Sequence, residues 1–182
     1  MTIREEITRS LRGAFLLARF DVRGLEYFNF TLEGFWRSFA GAALIAPLAA
    51  VSLIAATGDA SVNWLSEVTR YCVGWALFPL VMIPIARLLG LSNAYVPFVI
   101  AYNWTQVVQA LMFFILGLLH RTGLPFLVSP GPLDFAALVY AIVYFVFVAR
   151  MTLGVGSLTA TGLAILDMVT SYLVLVALPQ YL

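Results

Sequence analysis

The chain has 182 residues, of which 63% are hydrophobic, and only 19 are charged: ten basic and nine acidic. A soluble domain carries about 25% charged residues, so this composition excludes a soluble globular fold, and with it the disordered, collagen-like and disulfide-rich classes. What remains is an all-α polytopic membrane protein. The net charge of +1 offers nothing to a nucleic-acid backbone. Cys72 stands alone and can form no internal disulfide.

Residues 1–34 form a unit of their own. Eleven of the 19 charges fall within residues 1–37. Thr2 and Glu5 match a capping box. Ile3, Ile7, Leu11, Phe15, Ala18 and Val22 then recur at helical spacing, with Arg4, Arg9, Arg12, Arg19 and Arg23 as the cations of the segment. Two placements fit this pattern equally: an amphipathic helix on the cytoplasmic membrane surface, or a helix packed on the bundle. Residues 24–34 read as a hinge.

Residues 35–182 form the membrane domain. Five stretches reach the ~20 apolar residues needed to cross ~30 Å of hydrocarbon. They are 35–56, 69–88, 94–119, 132–150 and 158–179. In the first, Gly41, Ala42, Ala46 and Ala50 are in small-xxx-small register, which predicts close helix packing. The second carries Pro79 and Pro84 and is expected to kink. The third should begin with Ser92-Asn93 as its N-cap. The fourth follows the turn signal Ser129-Pro130-Gly131-Pro132, with Asp134 suited to its first turn. Gly156, Ala160 and Ala164 repeat the small-residue register in the fifth. With the N-terminus inside, eight Arg lie on the cytoplasmic side and two, Arg70 and Arg121, on the other, which predicts N-in and C-out. Trp36, Trp64, Tyr71, Tyr95 and Tyr181 fall near the predicted interfaces, as belt aromatics do.

The third span is the most informative. Tyr95, Tyr102, Gln106 and Gln109 share a stripe about 60° wide at 100° per residue. Asn103 borders it. Ile100, Trp104, Val107, Val108, Leu111 and Ile115 occupy the opposite side and read as a lipid face. Asp167 is the one acid deep in a span, about 13 Å from the cytoplasmic end at 1.5 Å per residue. Inserting it costs about 2.5–3.5 kcal/mol, so it should face a partner, expected to be Asn103 or a snorkelling Arg. Ser171 and Thr170 lie beside it. This cluster reads either as interhelical hydrogen bonding or as the lining of a solute path. His120 is the only His, and no metal or cofactor motif is present, which argues against an enzyme.

The run Gly34-Phe35-Trp36-Arg37-Ser38-Phe39 at the first span, the amino-terminal segment and the five close-set spans resemble the Yip1 family, in its bacterial form. Where eukaryotic members carry Asp-Leu-Tyr-Gly-Pro, Asp21-Val22-Arg23-Gly24-Leu25 keeps only the Asp and the Gly. The resemblance implies a non-enzymatic organiser or accessory protein of the inner membrane, engaging lipids, other membrane proteins or its own copies. The alternative is a small transporter or channel subunit built on the polar stripe.

Overall fold

The computed structural model describes residues 2–57, 62–123 and 131–177. Ser129, Pro130 and Tyr181 lie outside these residues. Among those described, the chain is all-helical. Helix α1 spans Ile3–Leu17 and a 3-10 helix follows at Val22–Tyr27. The remaining helices are α2 Leu32–Ser38, α3 Ala40–Thr57, α4 Trp64–Leu88, α5 Ser92–His120, α6 Pro132–Leu153 and α7 Ser157–Ala177. A break at Phe39 separates α2 from α3, and together they make the first span, Leu32–Ala55. Five helices are thus long and apolar enough to cross a membrane.

Helix α5 is the axis. Half of its most apolar window is buried, against 17–28% for the other spans. It touches α1, α2, α3, α4 and α6, while α7 closes against α4 and α6. The expected lipid face of α5 is therefore corrected: Ile100, Trp104, Val107 and Val108 are buried. They pack against Ala14, Leu17, Ile45, Tyr144 and Val148. Only Ile115 of that set is exposed. The reason is the amino-terminal arm, which covers this side. The N-cap of α5 is also corrected, because Leu91 holds that place without a side-chain bond and Ser92 is already helical.

The arm is a hairpin of α1 and the 3-10 helix. Its capping box forms as expected, with the Thr2 hydroxyl accepting from Glu5 N–H and Glu5 accepting from Thr2 N–H at 2.9 Å. These bonds hold the Glu5 carboxyl below its ordinary pKa. The buried residues of α1 are Glu6, Ser10, Gly13, Ala14 and Leu17, a face about 100° round from the apolar stripe. Ile3, Phe15 and Val22 are exposed, and Ile7, Leu11 and Ala18 flank the contact. Small residues face inward because the arm packs backbone against backbone. A Cβ on Gly24 would lie 2.5 Å from the Gly13 carbonyl oxygen, and one on Gly13 would lie 2.7 Å from the Gly24 oxygen.

Helix α1 ends in a Schellman turn. Asp21 N–H donates to the Leu16 carbonyl at 3.0 Å and Phe20 N–H to that of Leu17 at 2.8 Å. Phe20 takes the left-handed position usually held by Gly (φ +59°). Its ring explains the choice, packing edge-on against Tyr140 at 6.0 Å and Phe147 at 5.4 Å. Tyr140 and Tyr144 on α6 also donate to the Ala18 and Ala14 carbonyls, at 2.5 and 2.8 Å. Asp21 caps the 3-10 helix and binds the Arg23 guanidinium, which lowers the Asp21 pKa and raises that of Arg23. Glu6, buried, joins the arm to the first span through Arg37 at 2.6 Å and accepts from Asn29 at 3.2 Å.

Candidate functional site

Tyr102, Gln106 and Gln109 project from one face of α5 toward α4, α6 and α7. Their spacing of four and three residues keeps them on adjacent turns. A cavity of about 400 Å³ lies on this face, lined by Tyr102, Gln106, Gln109, Ser171, Tyr71 and Arg70 among others. A second, of about 340 Å³, is lined by Gln106, Gln109, Ser171 and Asp167. The two share Gln106, Gln109, Phe113 and Ser171, so they adjoin across these side chains and make a two-part chamber.

At the inner end the Tyr102 hydroxyl donates to Asp167 Oδ1 at 2.8 Å. Gln106 adds a polar contact to the same hydroxyl. This corrects the expected partner of Asp167, since neither Asn103 nor an Arg bonds to it among the described residues. Arg87 and Arg150 are exposed at helix ends. Asp167 is therefore met by a neutral donor and a cavity. A carboxylate at this depth needs such compensation, because a bare charge costs several kcal/mol in hydrocarbon. Thr170 donates to the Asp167 carbonyl at 2.9 Å and does not reach the chamber's carboxylate. The Gln109 amide reaches the Ala141 carbonyl at a long 3.4 Å, leaving most of its hydrogen-bonding capacity to the chamber.

Asn103 lies outside the chamber. It is fully buried on the α2 side, where its amide nitrogen donates to Ser38 Oγ at 2.8 Å and its Oδ1 has no partner among the described residues. One residue's step, 100°, separates it from Tyr102. In α5, which is surrounded, that step moves a side chain to a different neighbour.

The helix-packing residues divide. Gly41 is a close approach, because a Cβ there would lie 2.9 Å from Val107 Cγ2. Ala160 and Ala164 are buried beside Phe145 and Ala149. Ala42, Ala46 and Ala50 do not make the expected tight seam; they line a groove between α3 and α4, which barely touch. Gly156 precedes α7 and has open space around it, so it is a connecting residue and not a packing one.

The five arm arginines are exposed. Three of them also hold the hairpin: Arg9 donates to the Glu26 carbonyl at 2.7 Å, Arg12 lies 5.1 Å over the Tyr27 ring, and Arg23 binds Asp21. Two of the belt aromatics also bond to a neighbouring helix. The hydroxyl of Tyr71 donates to the Ala42 carbonyl at 2.5 Å and that of Tyr95 to the Pro79 carbonyl at 3.0 Å, so both tie helices together.

Sequence reasoning missed Arg70 as a lining residue. It is paired with Glu67 and borders the chamber. Its position one turn after Glu67 was the available signal. His120 lies 3.4 Å from Asp134 at the same end of the bundle. No cluster of three metal-ligating side chains occurs among the described residues.

Comparison with family models, with curated proteins and with solved structures returns no match to this chain. The fold and the site together define the class: a polytopic integral membrane protein whose central helix carries a polar stripe facing two adjoining cavities.

Proposed function

We propose that this membrane protein binds a small polar solute inside its bundle and serves as a transporter or channel subunit. One observation carries the reading: Gln106, Gln109 and Ser171 line both adjoining cavities, with Tyr102 on the first and its partner Asp167 on the second. Amides that serve only as interhelical glue would be consumed in bonds between helices. Here Gln109 makes one long contact, and Asp167 faces space. Solute hydroxyl, amide or ammonium groups would satisfy these side chains, with Asp167 as counter-ion for a cation.

Five spans are few for a self-contained path, so the proposal includes self-association in the inner membrane of a bacterial-type cell. Membership of the Yip1 family, with N-in orientation, belongs to the same proposal. The organiser role implied by that resemblance would act through the arm. The inward face of α1 is occupied by α5 and α6, which leaves its outer cations and the exposed Ile3 and Phe15 to lipids or partners. No catalytic step is assigned.

The test is water access. In a Cys72→Ala background, single cysteines at positions 103, 106 and 109 are exposed to a membrane-impermeant thiol reagent. Labelling at 106 and 109 with protection at 103 is the expected result. Protection at both 106 and 109 overturns the solute reading.

A further inference from the structure

The groove between α3 and α4 is a separate cavity of about 660 Å³. Its long wall is Ala42, Ala46 and Ala50, with no polar side chain among them. Trp64, Glu67 and Arg70 line the groove from α4. Glu67 and Arg70 form an ion pair through Arg70 Nη2, and both side chains are largely withdrawn from solvent, 17% and 19% exposed. Arg70 Nη1 is buried and has no partner among the described residues. Arg70 stands six residues into α4, about 9 Å from its start.

We infer that this groove holds a zwitterionic phospholipid from the leaflet at the α3–α4 end of the bundle. Its phosphate lies on Arg70, its ammonium lies between Glu67 and the Trp64 ring, and one acyl chain follows the alanine wall. Three features select this occupant. The groove opens from a membrane-spanning bundle, so its apolar length is in contact with lipid chains. The ion pair presents both signs side by side, which complements a phosphate–ammonium dipole; an anionic headgroup without an ammonium brings no group that complements Glu67. Trp64, exposed at the groove, adds a face for the cation. The inference rests on the five-span fold and not on the solute reading, although Arg70 and Tyr71 border both spaces.

The experiment uses the full chain in vesicles of equal parts phosphatidylethanolamine and phosphatidylglycerol. A short diazirine side chain replaces Ala46 in one preparation and Leu173, exposed on α7, in another. On irradiation, position 46 should capture phosphatidylethanolamine well above its bulk share, and position 173 should capture both lipids in bulk proportion. Arg70→Gln should return position 46 to the bulk ratio. Glu67→Gln should remove the preference against phosphatidylglycerol, and it serves as the second variant if Arg70→Gln fails to fold. A bulk ratio at position 46 in the unsubstituted ion pair overturns the inference. So does a ratio unmoved by either substitution, or capture of a second copy of the chain in place of lipid. Thiol access to positions 106 and 109 is read on the same vesicles, so failure of the lipid site and failure of the solute reading are told apart.

Discussion

The crossing of Gly13 and Gly24 should be the point at which the arm is most easily released. In Gly24→Ala the new methyl would lie 2.5 Å from the Gly13 carbonyl oxygen, 2.8 Å from Leu17 Cγ and 3.0 Å from Leu17 N. Two of these neighbours are backbone atoms that cannot rotate away, so the hairpin must widen or the arm must lift. Overpacking of this kind costs about 1–3 kcal/mol. At 1.4 kcal/mol per tenfold, the population with the arm open rises about 5- to 140-fold. Limited trypsin digestion reads this directly, because the arm carries Arg9, Arg12, Arg19 and Arg23, and cleavage tracks the open population when reclosing is fast. Gly162→Ala, where a methyl meets nothing within 4 Å, is the control and should leave the rate unchanged. Gly13→Ala should behave like Gly24→Ala, and the double variant should cost less than the sum, since one widening relieves both. Arm cleavage at the parental rate in both single variants would refute the close packing.

Further outcomes follow from the polar contacts. Arg37→Gln leaves the Glu6 carboxylate, 5% exposed, with Asn29 alone; Glu33→Gln removes the Arg37 partner that is 65% exposed. Thermal unfolding in mild detergent should therefore show a loss of about 3–5 kcal/mol for the first and at most about 1 for the second; equal losses would contradict the burial. Asp167→Asn keeps an acceptor for the Tyr102 hydroxyl and should unfold at or above the parental temperature, whereas Asp167→Leu takes away the acceptor of that hydroxyl's proton and should cost about 1–3 kcal/mol. Ser38→Ala removes the Asn103 amide's one partner among the described residues, at a buried position, with an expected cost of about 1–3 kcal/mol in the same assay. The pKa of Asp21 is lowered in the folded arm from its ordinary 3.8, so its contribution is complete above that value and is lost as pH falls below it. Amide exchange at Arg23 and Gly24, corrected for intrinsic rate, should accelerate with acid, and Asp21→Asn should flatten that pH dependence.

Much of the membrane domain was legible from the chain alone. A 3.6-residue period and a 20-residue apolar length are local quantities, so five spans, the capping box at Thr2 and the role of Asp134 at the start of α6 could all be read there. The α5 stripe was also local: Tyr102, Gln106 and Gln109 share a face by spacing alone. What spacing could not supply was the identity of the neighbour. Ile100, Trp104, Val107 and Val108 look like a lipid face because lipid and a protein interior are equally apolar; only the docking of Ala14 and Leu17 makes them core. The same ambiguity turned the alanines of α3 from an expected seam into a groove wall.

The amino-terminal arm shows the division most plainly. Its helix, its cap and its cations are written in consecutive residues. Its inward face is not the apolar stripe, because the contact was chosen by how closely Gly13 can meet Gly24 and by tyrosines more than a hundred residues away. Composition and periodicity are properties of a segment and decide that it is a helix in or at a membrane. Which side of that helix is inside, and whether Asp167 meets Asn103 or Tyr102, depends on the rotation and crossing of packed helices, and that is a property of the assembled bundle alone.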